Sequence, residues 1–172
     1  MIKLLGSVLI VAASGLGGIA VAGNYSRRPK ELKSIRSALQ MLETEISYGA
    51  AHLQEALSMV AERCDQDVAC IFSRTAAELS ARTGLTAAQA WEKSIQSYYK
   101  ESALKAQDFS ILRNLGASLG ISDRTDQIKH LRLAMEQIGS ENLRAEEEAA
   151  RNVKLWSYLG FLSGFLAVII LY

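Results

Sequence analysis

The chain has 172 residues, 49% of them apolar and only 7% aromatic, with a single proline at Pro29. Lys3 is the only charged side chain before Arg27 and none follows Lys154, so residues 27–154 hold 18 of the 19 lysines and arginines and all 18 aspartates and glutamates. That segment is formally neutral with its signs interspersed, which excludes the basic footprint of a nucleic-acid binder.

The first element is an apolar stretch, residues 4–26, without a charged side chain. A helix needs about 20 apolar residues to cross the hydrocarbon core, so the stretch is expected to be a transmembrane helix. A secretory signal competes with that reading, because Lys3 precedes the stretch and Ala20-Val21-Ala22 has the form of a cleavage site. The stretch is longer than the usual signal core, and Arg27, Arg28, Lys30 and Lys33 follow at once, which resists translocation. A retained anchor is therefore expected. Ser14, Gly18 and Ala22 recur every fourth residue, as in helices that pack closely in lipid.

A helix is expected from Pro29, whose fixed φ suits an early helical position. Leu32, Ile35, Leu39, Leu42 and Ile46 form its apolar stripe, and Gly49 ends it. A short second helix carries Leu53, Ala56, Leu57 and Val60. A third, capped by Asp65 or Asp67, carries Val68, Ile71, Phe72, Ala76 and Leu79 and stops at Gly84. Thr86 with Gln89 is a capping box for a fourth helix, whose inner face is Ala88, Trp91, Ile95 and Tyr98. Residues 102–107 read as a loop or fraying turn. Asp108 then lies in the first turn of a fifth helix, near the positive end of its dipole. That helix is expected to bury Ile111, Leu112, Leu115 and Leu119, with Gly116 permitting close helix contact and Gly120 as the C-cap.

Ser122 or Asp123 caps the sixth helix, which meets no breaker except Gly139-Ser140 and is expected to run on into the C-terminal stretch. Ile128, Leu131, Met135 and Ile138 give it a seam that thins to Ala145 and Ala149, so the part beyond reads as a solvated connecting rod with Glu147 and Glu148 pairing with Arg151. Residues 155–172 are again uncharged and near the short end of spanning length, with Trp156, Tyr158 and Tyr172 at headgroup positions. Gly160 and Gly164 repeat the small-residue spacing. Arg27, Arg28 and Lys30 outweigh Lys3, while Arg144, Arg151 and Lys154 flank the second stretch, so both spans place residues 27–154 in the cytoplasm. The expected fold is all-α: a cytoplasmic six-helix antiparallel bundle, 27–154, flanked by transmembrane helices at 4–26 and 155–172.

No catalytic set is visible. A phosphate-binding G-x-x-x-x-G-K-[ST] loop is missing, and Cys64 and Cys70, six residues apart, form neither a disulfide framework nor a Cys-x-x-Cys site. Trp91 reads as core, Asp108 as a capping residue with a local ion pair. A non-enzyme is expected, with no cofactor, no metal and no nucleic acid. The competing class is a membrane-anchored enzyme or regulator whose site a partner completes; a signal-cleaved, C-terminally anchored protein is the other rival.

Several blocks carry a resemblance: Tyr25-Ser26-Arg27-Arg28-Pro29-Lys30-Glu31-Leu32, then LQMLETEISYG over 39–49, then Trp91, Asp108 and NLGASLGISDRTDQ over 114–127. With an apolar stretch at each end, the chain resembles the stage III sporulation protein AB family of endospore formers, whose soluble domain is similar to those of type II secretion F platform proteins. The resemblance implies a platform role in the channel complex joining mother cell and forespore. It implies a cytoplasmic ATPase of the same complex and other channel components as partners, in the mother-cell-side membrane that becomes the outer forespore membrane. F proteins usually carry two such domains and this chain has one, so self-association is expected to supply the second.

Overall fold

The structure is a computed structural model that describes residues 26–48, 52–81, 84–120 and 123–171. Among them are six helices and no strand: α1 Arg27–Tyr48, α2 Leu53–Arg63, α3 Gln66–Ser80, α4 Ala87–Tyr99, α5 Ala106–Ser118 and α6 Arg124–Leu171. The chain divides into two units, one of residues up to Pro29 and from Leu143, the other Lys30–Asn142.

The second unit is the helical bundle. In α1 the apolar stripe is shut in: Leu32, Ile35, Leu39 and Leu42 are at most 1% exposed. Pro29 lies within the first turn, where an absent N–H breaks no intrahelical bond. The antiparallel arrangement shows in which residues meet. Along α3 and α4, Arg74 reaches Ser97 while Glu78 pairs with Lys93. On α1 and α6, Arg36 lies against Gly139 and Glu43 pairs with Arg132 at 2.6 Å. In each case the sequence order of one helix opposes that of its partner. α2 packs on α3, α3 on α4 and α4 on α5.

Caps set the boundaries. Thr86 Oγ1 accepts from the Gln89 amide and Gln89 Oε1 from the Thr86 amide, so the reciprocal box is present at α4. The Asp123 carboxylate accepts from the Asp126 amide at 2.8 Å and starts α6; Ser122 lies outside the described residues, as does Gly49. Helix α3 ends at Ser80 and not at Gly84, which instead takes φ +79° in the link to α4.

In the other unit, Ala145 and Ala149 are 2% and 8% exposed, and the side chain of Arg28 is buried and lies 3.7 Å from Glu148. The expectation of a fully solvated rod therefore fails: one small-residue edge of this stretch is covered. Glu148 turns to Arg28 as well as lying within reach of its own helix.

Helix α6 continues without a break to Leu171. Among the described residues no helix is long and apolar enough to cross a membrane. The expected span at 4–26, with Ser14, Gly18 and Ala22, lies outside them except for Ser26, and so do Tyr172 and most side chains of 155–171. The two transmembrane helices thus rest on the sequence.

Candidate functional site

A charged side chain on an apolar seam must find a partner or pay for its dehydration. Three carboxylates in the bundle occupy such positions. Glu31 is 7% exposed, Glu141 is 6% exposed and Asp108 is fully buried. They come from α1, α6 and α5. Two of them hold the short link between α4 and α5: Glu31 Oε2 accepts from the Ala103 amide at 2.8 Å, and Asp108 Oδ2 accepts from the Lys105 amide at 2.8 Å. The third acts on the first turn of α5, where Glu141 Oε1 accepts from the Gln107 side-chain amide at 3.0 Å. Leu104 is buried in the link. The loop expected there is thus present and fixed at two points by carboxylates. An ionised carboxylate accepting from an amide is a stronger bond than a neutral pair.

The second buried feature joins α4 to α5. Trp91 is 1% exposed, and its indole N–H donates to the Leu112 carbonyl at 2.8 Å. Its ring stands edge-on to Phe72, centroids 5.6 Å apart. Gly116 faces the indole so closely that a Cβ there would sit 2.3 Å from Trp91 Cδ1. Leu115 is 3% exposed. Gly120 has φ +77°, and a Cβ on it would meet the Cβ of Ala87 at 2.7 Å. These residues make a close three-helix contact and present no reactive group to solvent.

A shallow cleft of about 460 Å³ lies between α3 and α4, lined by Arg74, Glu78, Lys93 and Ser97. Its charges are engaged with each other: Lys93 with Glu78, and Arg74 with the Ser97 hydroxyl. Cys64 and Cys70 are free thiols, both half-buried. Burial pushes the Cys64 thiol above its ordinary value, with smaller upward contributions from the Asp65 carboxylate and Cys70 and a downward one from a backbone hydrogen bond. Among the described residues no group of three or more His, Cys, Asp or Glu side chains could hold a metal ion.

Of the residues singled out from sequence, Trp91, Asp108, Leu115 and Gly116 come together around α5, while Arg27, Lys30, Arg151 and Lys154 are exposed. Gly160 and Gly164 lie in the helical end of α6. Sequence reasoning passed over Glu31, Glu141 and the burial of Arg28. The signal was present: Arg28, Glu31 and Leu32 sit at seam spacing, as do Ile138, Glu141 and Ala145.

The fold and its buried contacts define an all-helical bundle protein whose polar interior serves to fix its own links. The stage III sporulation protein AB family model matches residues 3–172. Stage III sporulation protein AB of Bacillus subtilis (strain 168) is 37% identical over 171 residues, covering 99% of both chains. A solved structure of stage III sporulation protein AB (SpoIIIAB) superposes with a TM-score of 0.67 at 33% identity, covering 72% of this chain and 97% of that one. The chain belongs to the stage III sporulation protein AB family and has a role in sporulation.

Proposed function

We propose that the chain is a membrane platform component of the secretion-like channel complex between mother cell and forespore, tying a cytoplasmic ATPase to the membrane channel without doing covalent chemistry itself. The observation that carries this reading is the continuity of α6. One uninterrupted helix, Arg124–Leu171, begins in the bundle and ends in the uncharged C-terminal stretch. A helix satisfies its own backbone hydrogen bonds, which is the condition for entering lipid. The family membership over residues 3–172 and the helical fold support the same reading.

In this proposal residues 4–26 and 155–172 span the mother-cell-side membrane, and 27–154 is cytoplasmic. Ser14, Gly18 and Ala22 with Gly160 and Gly164 serve close approach to neighbouring spans, a second copy of the chain among them. The ATPase docks on the charged outer faces of the bundle. Such contacts add specificity and a salt-dependent association rate. The test is purification of the tagged full-length chain from sporulating cells at low salt. The ATPase of the complex should co-purify, and Glu92→Lys, on the exposed side of α4 beside Arg113, should weaken capture more at low salt than at high. Intact, abundant chain that brings down no ATPase, together with normal sporulation of Gly160→Leu and Gly164→Leu variants, would sink the platform reading.

A further inference from the structure

The outer face of α1 carries Lys30, Lys33 and Arg36, all exposed and spaced three residues apart, so they share one side of the helix. Among the described residues none of the three has a carboxylate partner. Several other cations on the bundle do have a carboxylate partner: Arg63 with Glu45 at 3.0 Å, Arg113 with Glu92 at 2.9 Å, Arg132 with Glu43 at 2.6 Å, and Lys93 with Glu78. The single acid in the first half of α1, Glu31, is buried and committed to the Ala103 amide.

The placement is also unfavourable along the helix. The first turn of α1 holds Arg27, Arg28 and Lys30 and no acidic residue. Cations at a helix N-terminus oppose the macrodipole, and like charges at neighbouring positions repel. An anionic partner outside the chain removes both penalties. The apolar stretch ends at Ser26, so Lys30 to Arg36 follow within ten residues of it. At the helical rise of about 1.5 Å per residue Lys30 lies within about one Debye length of the end of that stretch, roughly 8 Å, and Arg36 within about two.

We propose that the Lys30/Lys33/Arg36 face of α1 binds the anionic phosphate headgroups of the adjacent membrane leaflet. The inference rests on the membrane reading above and adds a lipid preference to it. Each basic side chain near such a surface strengthens binding by about fivefold. The face thus holds the start of α1 against anionic lipid, in addition to whatever the apolar stretch contributes.

The full-length chain is reconstituted into vesicles of phosphatidylcholine and phosphatidylglycerol in equal parts and washed with carbonate. Chain that washes off refutes the membrane reading, and this inference with it. Chain that stays is transferred to detergent with both lipids, and bound lipids of each class are counted by native mass spectrometry. The wild type should retain phosphatidylglycerol over phosphatidylcholine by about fivefold or more, and the preference should fade in high salt. Lys30→Gln/Lys33→Gln/Arg36→Gln should bind the two equally, while Arg63→Gln/Lys93→Gln/Arg113→Gln, which removes as many charges elsewhere, should keep the preference. All six sites are exposed, and unchanged circular dichroism melts confirm that each variant is folded. A membrane-retained wild type with no preference, or equal loss in both variants, overturns the proposal. So does a first variant that keeps its lipid preference but no longer captures the ATPase, which would assign the face to an acidic protein.

Discussion

Replacing Gly116 with alanine sets two effects against each other. Helix propensity favours alanine over glycine by about 1 kcal/mol in a helix interior, and Gly116 lies inside α5. Against this, the new methyl would stand 2.3 Å from Trp91 Cδ1, where carbon atoms normally rest about 3.5–4.0 Å apart. The indole would have to move by more than 1 Å or so. It is not free to do so, being 1% exposed, hydrogen-bonded to the Leu112 carbonyl and set edge-on to Phe72. Overpacking costs about 1–3 kcal/mol, and a stretched buried hydrogen bond adds about 1–3 kcal/mol. After the propensity gain, a net loss of about 1–5 kcal/mol remains, or a fall in Tm of roughly 4–20 °C at about 4 °C per kcal/mol for a domain of this size. Circular dichroism melts of the full-length chain in detergent read this directly. Trp91→Ala removes the ring that the methyl strikes, so Trp91→Ala/Gly116→Ala should lose less than the two single losses added, by about 1 kcal/mol or more. A Gly116→Ala protein that melts at or above the wild type would show propensity winning and refute the close-contact argument, as would strict additivity in the double variant.

Glu31→Ala should leave the half-buried Ala103 amide without its acceptor and cost about 1 kcal/mol, with hydrogen exchange rising in residues 101–107; Glu31→Gln keeps a carbonyl there and should cost less. Equal exchange in wild type and Glu31→Ala would show that the link is held by other contacts. The raised Cys64 thiol predicts slower iodoacetamide alkylation of Cys64 in the native chain than in urea at about pH 8.5, followed by mass spectrometry. The sign for stability follows: the folded state keeps a proton that the unfolded chain releases first, so the contribution of Cys64 is fully present below the ordinary thiol range and is lost as pH rises through it. Alkylation as fast in native protein as in urea would contradict the burial of the thiol.

The helices were readable because each follows a 3.6-residue stripe closed by local chemistry. Leu32 to Ile46, the Thr86–Gln89 box and Asp123 all act within four or so residues of each other, and such signals survive without tertiary knowledge. The end of α3 was misread for the same reason: Gly84 is a strong breaker, but Ser80 is where the helix stops, and the sequence between has no local mark of it. The expected loop between α4 and α5 is present as far as Lys105, but what holds it was not legible, because its partners are remote. Glu31 is 72 residues from Ala103 and Glu141 is 34 from Gln107, so nothing near residues 102–107 announces that they are held. Ala145 and Ala149 were legible as the thin end of the α6 seam, and they are buried at 2% and 8% exposure. The spans and their orientation come from hydropathy and from arginine and lysine placement alone.

The distribution of charge separates what keeps the bundle folded from what lies open to partners. Exposed ion pairs such as Arg63–Glu45 and Arg113–Glu92 contribute about 0–1 kcal/mol each. Truncating one buried leucine such as Leu112, 1% exposed, costs about 2–5 kcal/mol. Stability therefore resides in the seams and in the buried carboxylates that fix the α4–α5 link, and the outer charges can be changed with little effect on folding. That difference makes docking experiments interpretable: a loss of binding after Glu92→Lys or Lys33→Gln reports on the surface, because neither side chain supports the core. It also explains how the bundle can leave Lys30, Lys33 and Arg36 without a carboxylate partner on one side of α1. With folding secured from inside, the unmatched face costs little stability, and it remains available for an anionic partner beyond the chain.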